Sequence, residues 1–306
     1  MTYNTSEIFF KSEATTCYGR LYLPLVDSAE FACVVMANGF SGTMDWILPD
    51  FAEGFAKNGF AVLAFDYRHL GRSGGEPRQV IDPDKQLTDL RNAIHFARRH
   101  PQIDDSRIIL WGTSLGGGYV LKIAAEDHRI AAVIGNMPAI DAIKGGNLKG
   151  KMQKSDASAT DLIVASLRLF WAASIDLLKS MLSMKPNYVN VYGAPGKAIF
   201  TDPELATRFA TVEKQSPTWQ NKVAARFIFK APRYQSGTFE RIQAPIFLAL
   251  ATLDVEVSTS FIRKKSEGAA RVEIIEYPFG HFDLYHGDIF KKVLADQIFF
   301  LKKHMS

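Results

Sequence analysis

The chain has 306 residues, of which 47% are hydrophobic and 22% charged, with a formal net charge of +4. That is ordinary globular usage in a chain long enough to bury a sizeable core, and it excludes a disordered chain. The positive charge is thin and sits in short runs such as Arg98-Arg99-His100 and Lys302-Lys303-His304 at expected helix ends, so no basic stripe argues for nucleic acid.

The opening residues, Met1-Thr2-Tyr3-Asn4-Thr5-Ser6-Glu7, have neither the basic n-region nor the apolar run of a secretory signal. The two cysteines, Cys17 and Cys33, lack metal-ligand spacing, so a cytoplasmic protein without a metal is expected. Residues 7–12 and 18–23 read as an antiparallel strand pair, and 32–37 (Ala-Cys-Val-Val-Met-Ala) as a buried strand. A helix over 47–58 leads to a buried strand at 60–65. Asp82-Pro83 then supplies a cap and a helix-starting proline, Leu87, Leu90, Ile94 and Ala97 recur at helical spacing, and the helix stops before Pro101. A strand from Ile108, a helix after Ser114 and a strand at 130–135 follow. This alternation predicts the α/β class, with a mostly parallel sheet covered by helices on both faces.

Regularity lapses between Pro138 and Ala244. The stretch holds an apolar helical region over 161–184, where Arg168, Asp176 and Lys179 exclude a membrane span. Helix-on-helix packing explains its apolar residues; a cap whose inner face lines a pocket is the functional alternative. In that alternative Leu169, Phe170, Trp171 and Met181 favour a medium-sized hydrophobic substrate group. Alternation returns with strands at 245–250 and 272–277 and helices at 259–267 and 287–304. The expected organisation is therefore a core of residues 1–137 and 245–306 carrying a helical cap insertion, 138–244.

One stretch carries chemistry: Ile108-Ile109-Leu110-Trp111-Gly112-Thr113-Ser114-Leu115-Gly116-Gly117-Gly118, an apolar strand broken by Gly-x-Ser-x-Gly and continuing as a helix. Such a corner presents one serine on a strained turn, with small neighbours leaving room for it to pack. A serine needs a base that is itself oriented by a carboxylate, and in this arrangement acid and histidine follow in that order, each just past a late strand. Asp254 and His281 stand there, which predicts Ser114 as nucleophile, His281 as general base and acid, and Asp254 as orienting carboxylate. Taken singly, Ser114 also suits a helix N-cap, Asp254 a surface turn and His281 a satisfied loop histidine. Rival acids are Glu256 and Asp141, and rival bases His69 and His286. The oxyanion of acyl transfer needs backbone donors, expected at Leu115, directly after the serine, and at Phe40 in Ala37-Asn38-Gly39-Phe40-Ser41-Gly42.

With these residues the chain resembles the α/β-hydrolase superfamily of serine hydrolases. Asn38-Gly39-Phe40, Asp66-Tyr67-Arg68-His69-Leu70-Gly71-Arg72-Ser73-Gly74-Gly75, Gly112-Thr113-Ser114-Leu115-Gly116-Gly117, Asp254 and Gly280-His281 fall at the family's oxyanion loop, post-strand loop, elbow, acid and base. Gly74-Gly75-Glu76-Pro77-Arg78 and His281-Phe282-Asp283-Leu284-Tyr285 are similar to the dienelactone-hydrolase-like and polyketide-transferase-like branch. Asn38 departs from the family, where many relatives carry His before the glycine, which touches the loop's scaffolding. No His-Gly-Gly-Gly loop is present, which argues against hormone-sensitive-lipase-like esterases. The resemblance implies a cofactor-free, carboxylesterase-like enzyme acting on a small hydrophobic ester or acyl substrate. Acyl transfer to a non-water acceptor is the alternative, and a non-catalytic ligand-binding protein on this fold a more remote one.

A phosphate-binding loop is rejected on the residues. Gly145-Gly146-Asn147-Leu148-Lys149-Gly150-Lys151 has the spacing up to the lysine, but Met152 replaces the required Ser or Thr and no buried strand leads into it. No nucleic-acid partner is expected, and a homodimer is left open.

Overall fold

The computed structural model describes the chain except residues 1, 27–29, 148–149, 151–157, 286 and 306. Strands β1 (Tyr3–Ser12), β2 (Thr15–Pro24), β3 (Phe31–Ala37), β4 (Ala61–Phe65), β5 (Ile103–Thr113), β6 (Ile130–Asn136), β10 (Ile246–Ala251) and β11 (Val272–Tyr277) form one sheet in the order β1-β2-β4-β3-β5-β6-β10-β11. β1, β2 and β4 pair antiparallel, and every pairing from β4 onward is parallel. The carboxyl ends of β3, β5, β6, β10 and β11 thus share one edge, where open α/β sheets place their ligands.

The sheet is buried on both faces because β3, β4 and β10 are apolar at every position and β5 is buried from Ile108 to Thr113. Along β3, Cys33, Val35 and Ala37 join the core under α2 (Pro83–Arg98) and α3 (Leu115–Ala124), while Ala32, Val34 and Met36 join the core under α1 (Leu48–Lys57) and the last helix, Gly287–Met305. Side-chain alternation with a period of two distributes one continuous apolar run between two helical layers. Asp82 caps α2 by accepting from the amides of Asp84 and Lys85, as its place before Pro83 predicts.

Between β6 and β10 the chain forms α4 (Ala159–Met181), β7 (Tyr188–Tyr192), β8 (Ala198–Phe200), α5 (Leu205–Gln215), β9 (Val223–Ala224), α6 (Phe227–Lys230) and α7 (Thr238–Arg241). The expectation of a helical insertion left out one part of it, since beside these helices β8-β7-β9 make a separate three-stranded sheet. These strands are only two to five residues long, and β7 alone alternates buried with exposed positions, which leaves little periodic signal. A second correction concerns α4. Its Ala173 and Asp176 are buried, but Phe170, Trp171 and Met181 are exposed, so of the residues expected to line a pocket only Leu169 packs partly on the core. The helices over 259–266, named α8, and 287–305, named α9, complete the fold. Of the rejected phosphate-loop stretch, Gly146 bridges to Val257, and Leu148, Lys149 and Lys151 lie outside the described residues.

Candidate active site

Ser114 stands between β5 and α3 with φ 51° and ψ −117°, a conformation that costs a non-glycine residue on the order of 1–3 kcal/mol. Three backbone bonds hold it there: its N–H donates to Asn136 O at 2.8 Å, and its carbonyl accepts from Gly118 N at 3.1 Å and Ala139 N at 2.8 Å. The glycines of the motif are required by contact. A Cβ on Gly112 would stand 2.4 Å from Gly116 O, and one on Gly116 only 2.2 Å from Ala37 O and 2.4 Å from Asn38 O. The end of β3 and the loop after it therefore press directly on the elbow. Although Ser114 occupies the N-cap position of α3, its side chain makes no capping hydrogen bond, so the hydroxyl is not spent on the helix.

Asp254 is buried and divides its two carboxylate oxygens. Oδ1 accepts from the amides of Glu256 at 2.7 Å and Val257 at 2.8 Å, which fixes the turn after β10, and Oδ2 meets His281 Nδ1 at 2.6 Å. The Asp254 carbonyl also accepts from Asn147 Nδ2 at 2.6 Å. His281 is buried, four residues past the end of β11. Its loop returns across the sheet edge to the elbow: the Tyr285 hydroxyl, three residues beyond Phe282, is hydrogen-bonded to the hydroxyl of Thr113, the neighbour of Ser114. Burial pushes the Tyr285 phenol up, and the charge of Asp254 reinforces the shift despite the bond from Thr113.

Of the rivals, Asp141 has its carboxylate engaged elsewhere. Asp141 accepts from the amides of Ile143, Lys144 and Tyr234, and those bonds keep its carboxyl low against the effect of burial. Glu256 donates its amide to Asp254. His69 lies in the loop after β4 at φ 67°, and burial pulls its imidazole down. His286 lies outside the described residues.

Next to Ser114, Leu115 opens α3, so its N–H has no intrahelical acceptor and lies at the positive end of the helix dipole. The loop after β3 runs beside Ser114, since a Cβ on Gly39 would lie 3.4 Å from Ser114 Cβ. Among the described residues the Phe40 N–H has no backbone acceptor. Asn38, the departure from the family's histidine, scaffolds this loop: its Oδ1 accepts from Gly39 N at 2.9 Å and its Nδ2 donates to Thr43 O.

Aromatic rings join these parts. Phe40 contacts Phe227 of α6 and Phe200 of β8, Phe200 contacts Phe282, and Phe282 contacts both His281 and Phe209 of α5. Asp283 accepts from Gly280 N at 3.0 Å and pairs with Arg208 of α5, so the insertion grips the histidine loop by charge as well as by packing.

Sequence reasoning passed over a buried chain behind the elbow. Trp111 Nε1 donates to Gln297 Oε1 at 2.9 Å, Gln297 Nε2 to Asn136 Oδ1 at 2.7 Å, and Asn136 Nδ2 to Gly112 O at 3.3 Å. Asn136 thus holds the elbow by its side chain at Gly112 and by its carbonyl at Ser114. The available signal was a polar residue ending the apolar run 130–136 and a glutamine within the apolar stripe of the last helix.

The family model described as serine aminopeptidase, S33, matches residues 28–278. The quorum-quenching protein AidA of Acinetobacter baumannii (strain MDR-ZJ06) is 36% identical over 299 residues, 97% of this chain and 94% of that protein. The polyketide transferase grgF of Penicillium sp. is 27% identical over 280 residues, covering 89% of this chain and 88% of that one. The crystal structure of the alpha/beta hydrolase GrgF from Penicillium sp. sh18 superposes with a TM-score of 0.77 at 26% identity, over 99% of both chains.

Proposed function

Because the chain belongs to the α/β-hydrolase family of serine hydrolases, we propose that it cleaves a carboxylic ester, thioester or lactone through an acyl-enzyme on Ser114. The observation that carries this is the 2.6 Å bond from Asp254 to His281 Nδ1, made within the loop that Tyr285 ties to the elbow. With Nδ1 donating to Asp254, Nε2 is the basic nitrogen of the ring. It takes the Ser114 proton as the hydroxyl adds to the substrate carbonyl, then returns that proton to the departing oxygen or sulfur. The amides of Phe40 and Leu115 receive the oxyanion in both tetrahedral steps. Water deprotonated by the same nitrogen releases the acid.

Residues 138–244 act as a cap over this site, and the hydrophobic preference comes from Phe40, Phe200, Phe209, Phe227 and Phe282 rather than from α4. Two buried, free cysteines suit a reducing compartment, and we place the enzyme in the cytoplasm. Likeness to a polyketide transferase favours one second reading, in which an alcohol or amine replaces water as acceptor. Product analysis on a panel of aryl and alkyl esters and thioesters, with and without added alcohols and amines, separates the two. Free acid as the sole product supports hydrolysis, transfer product at the expense of acid supports the second reading, and no turnover that Ser114→Ala abolishes overturns both.

A further inference from the structure

Helix α4 is apolar over more of its surface than one core-facing stripe needs. Its inner face is occupied: Ala173 is buried, and Asp176 accepts from the amides of Asn187 and Arg226 while pairing with the Arg226 guanidinium. Its outer face is bare, with Leu167 63% exposed, Trp171 68% and Met181 75%. At ordinary side-chain areas the exposed apolar groups of this face sum to roughly 1,000 Å², against about 300–600 Å² for the largest patch of a typical monomer.

The face has a register. Ile163, Leu167, Phe170, Ser174, Leu177 and Met181 follow one another at alternating steps of four and three, the seam of a helix that packs knobs into holes with another helix. No charged residue interrupts the seam, and Trp171 and Leu178 widen it on one side. The order of steps is the same read in either direction. About a two-fold axis near Ala172, an antiparallel copy sets Ile163 against Met181, Leu167 against Leu177 and Phe170 against the small Ser174, so each bulky ring meets a gap.

We propose that this face is a self-association surface on which α4 of a second copy of the chain packs antiparallel. The area matches what a stable pair needs, since a standard interface buries about 800 Å² per partner. A lipid surface would instead call for a helix whose polar face is strongly basic. Here the polar side carries only Arg168 and Lys179 as cations beside the acidic Asp161 and Asp176, of which Asp176 is buried. Residues 148–157, which precede α4, supply only Leu148, Met152 and Ala157 as apolar groups, too few to cover the seam.

Size-exclusion chromatography with light scattering over about 1–100 µM protein tests the proposal. Wild type is expected at twice the protomer mass, and Leu167→Glu, which touches none of the residues of the active site, is expected to weaken association by at least about 100-fold with its far-UV circular dichroism unchanged. Ser174→Cys gives an independent test should the charged variant fail to fold. Cys17 and Cys33 are buried and the two new thiols stand too far apart for a direct disulfide, so a bismaleimide of about 10 Å reach reads the new thiol alone and is expected to yield a covalent dimer. Protomer mass throughout, a dimer that Leu167→Glu leaves intact, or a monomer that binds anionic phospholipid vesicles through Leu167 would each overturn it.

Discussion

Gly116→Ala puts one methyl group into the tightest contact around the elbow. The new Cβ would stand 2.2 Å from Ala37 O and 2.4 Å from Asn38 O, both backbone atoms that cannot rotate away. Restoring ordinary contact requires α3 to move by about 1 Å relative to the loop carrying Phe40, and a displacement of that size at a catalytic centre costs about 100-fold in rate. If the shift also withdraws the Phe40 amide from the oxyanion, the loss is that of one donor, about 100- to 1,000-fold. The stability cost of overpacking is about 1–3 kcal/mol, which leaves the protein folded. Turnover of a p-nitrophenyl ester, with urea denaturation of the same preparation, reads both. Gly146→Ala is the control, because its Cβ would meet nothing closer than Ala142 O at 3.6 Å, and it is expected to be neutral. A Gly116→Ala enzyme that keeps more than about a third of the wild-type kcat/KM would refute the account of the elbow, since 1 Å of movement does not leave such activity.

Asp254→Asn keeps the turn bonds to Glu256 and Val257 while removing the charge behind the imidazole, so kcat is expected to fall about 10,000-fold with the melting temperature close to wild type. Arg68→Leu strands the buried Asp89, which accepts from Arg68 Nε at 2.8 Å and from its terminal nitrogen at 2.6 Å; urea unfolding should show a loss of about 3–5 kcal/mol, largely recovered when Asp89 is also made leucine. Asp66 sets a pH dependence: burial raises its carboxyl from 3.8 to about 6 despite amide bonds from Arg72 and Met44. Its protonated form is favoured by folding, so this contribution is present below the unfolded value and is lost as pH rises through about 6. Relative to Asp66→Asn, wild type should lose about 2 kcal/mol between pH 4 and pH 7; parallel stability curves would contradict the assignment.

Much of this was legible locally. The strand β3 is buried at all its positions and reads so from composition, and the elbow is legible because a strand, a glycine-flanked serine and a helix are consecutive. Asp254 and His281 were legible as candidates by their order along the chain and their places after β10 and β11, and the fold sets them 2.6 Å apart. What the sequence hid depends on pairings without local pattern. Trp111 meets Gln297 from 186 residues away and Thr113 meets Tyr285 from 172, and no periodicity announces either. The apolar residues of α4 were ambiguous for a related reason: an apolar stripe shows that a helix seeks cover, and only the fold shows that Phe170, Trp171 and Met181 are exposed while rings of β8, α5 and α6 contact Phe40 and Phe282.

The most direct test of the acyl-enzyme account is intact-mass labelling with a fluorophosphonate probe, followed by peptide mapping and by the labelling rate of His281→Ala. The account predicts a single adduct on Ser114, absent from Ser114→Ala and formed at least about 100-fold more slowly without the imidazole. An adduct on another residue, or a labelling rate that ignores the loss of His281, would contradict it.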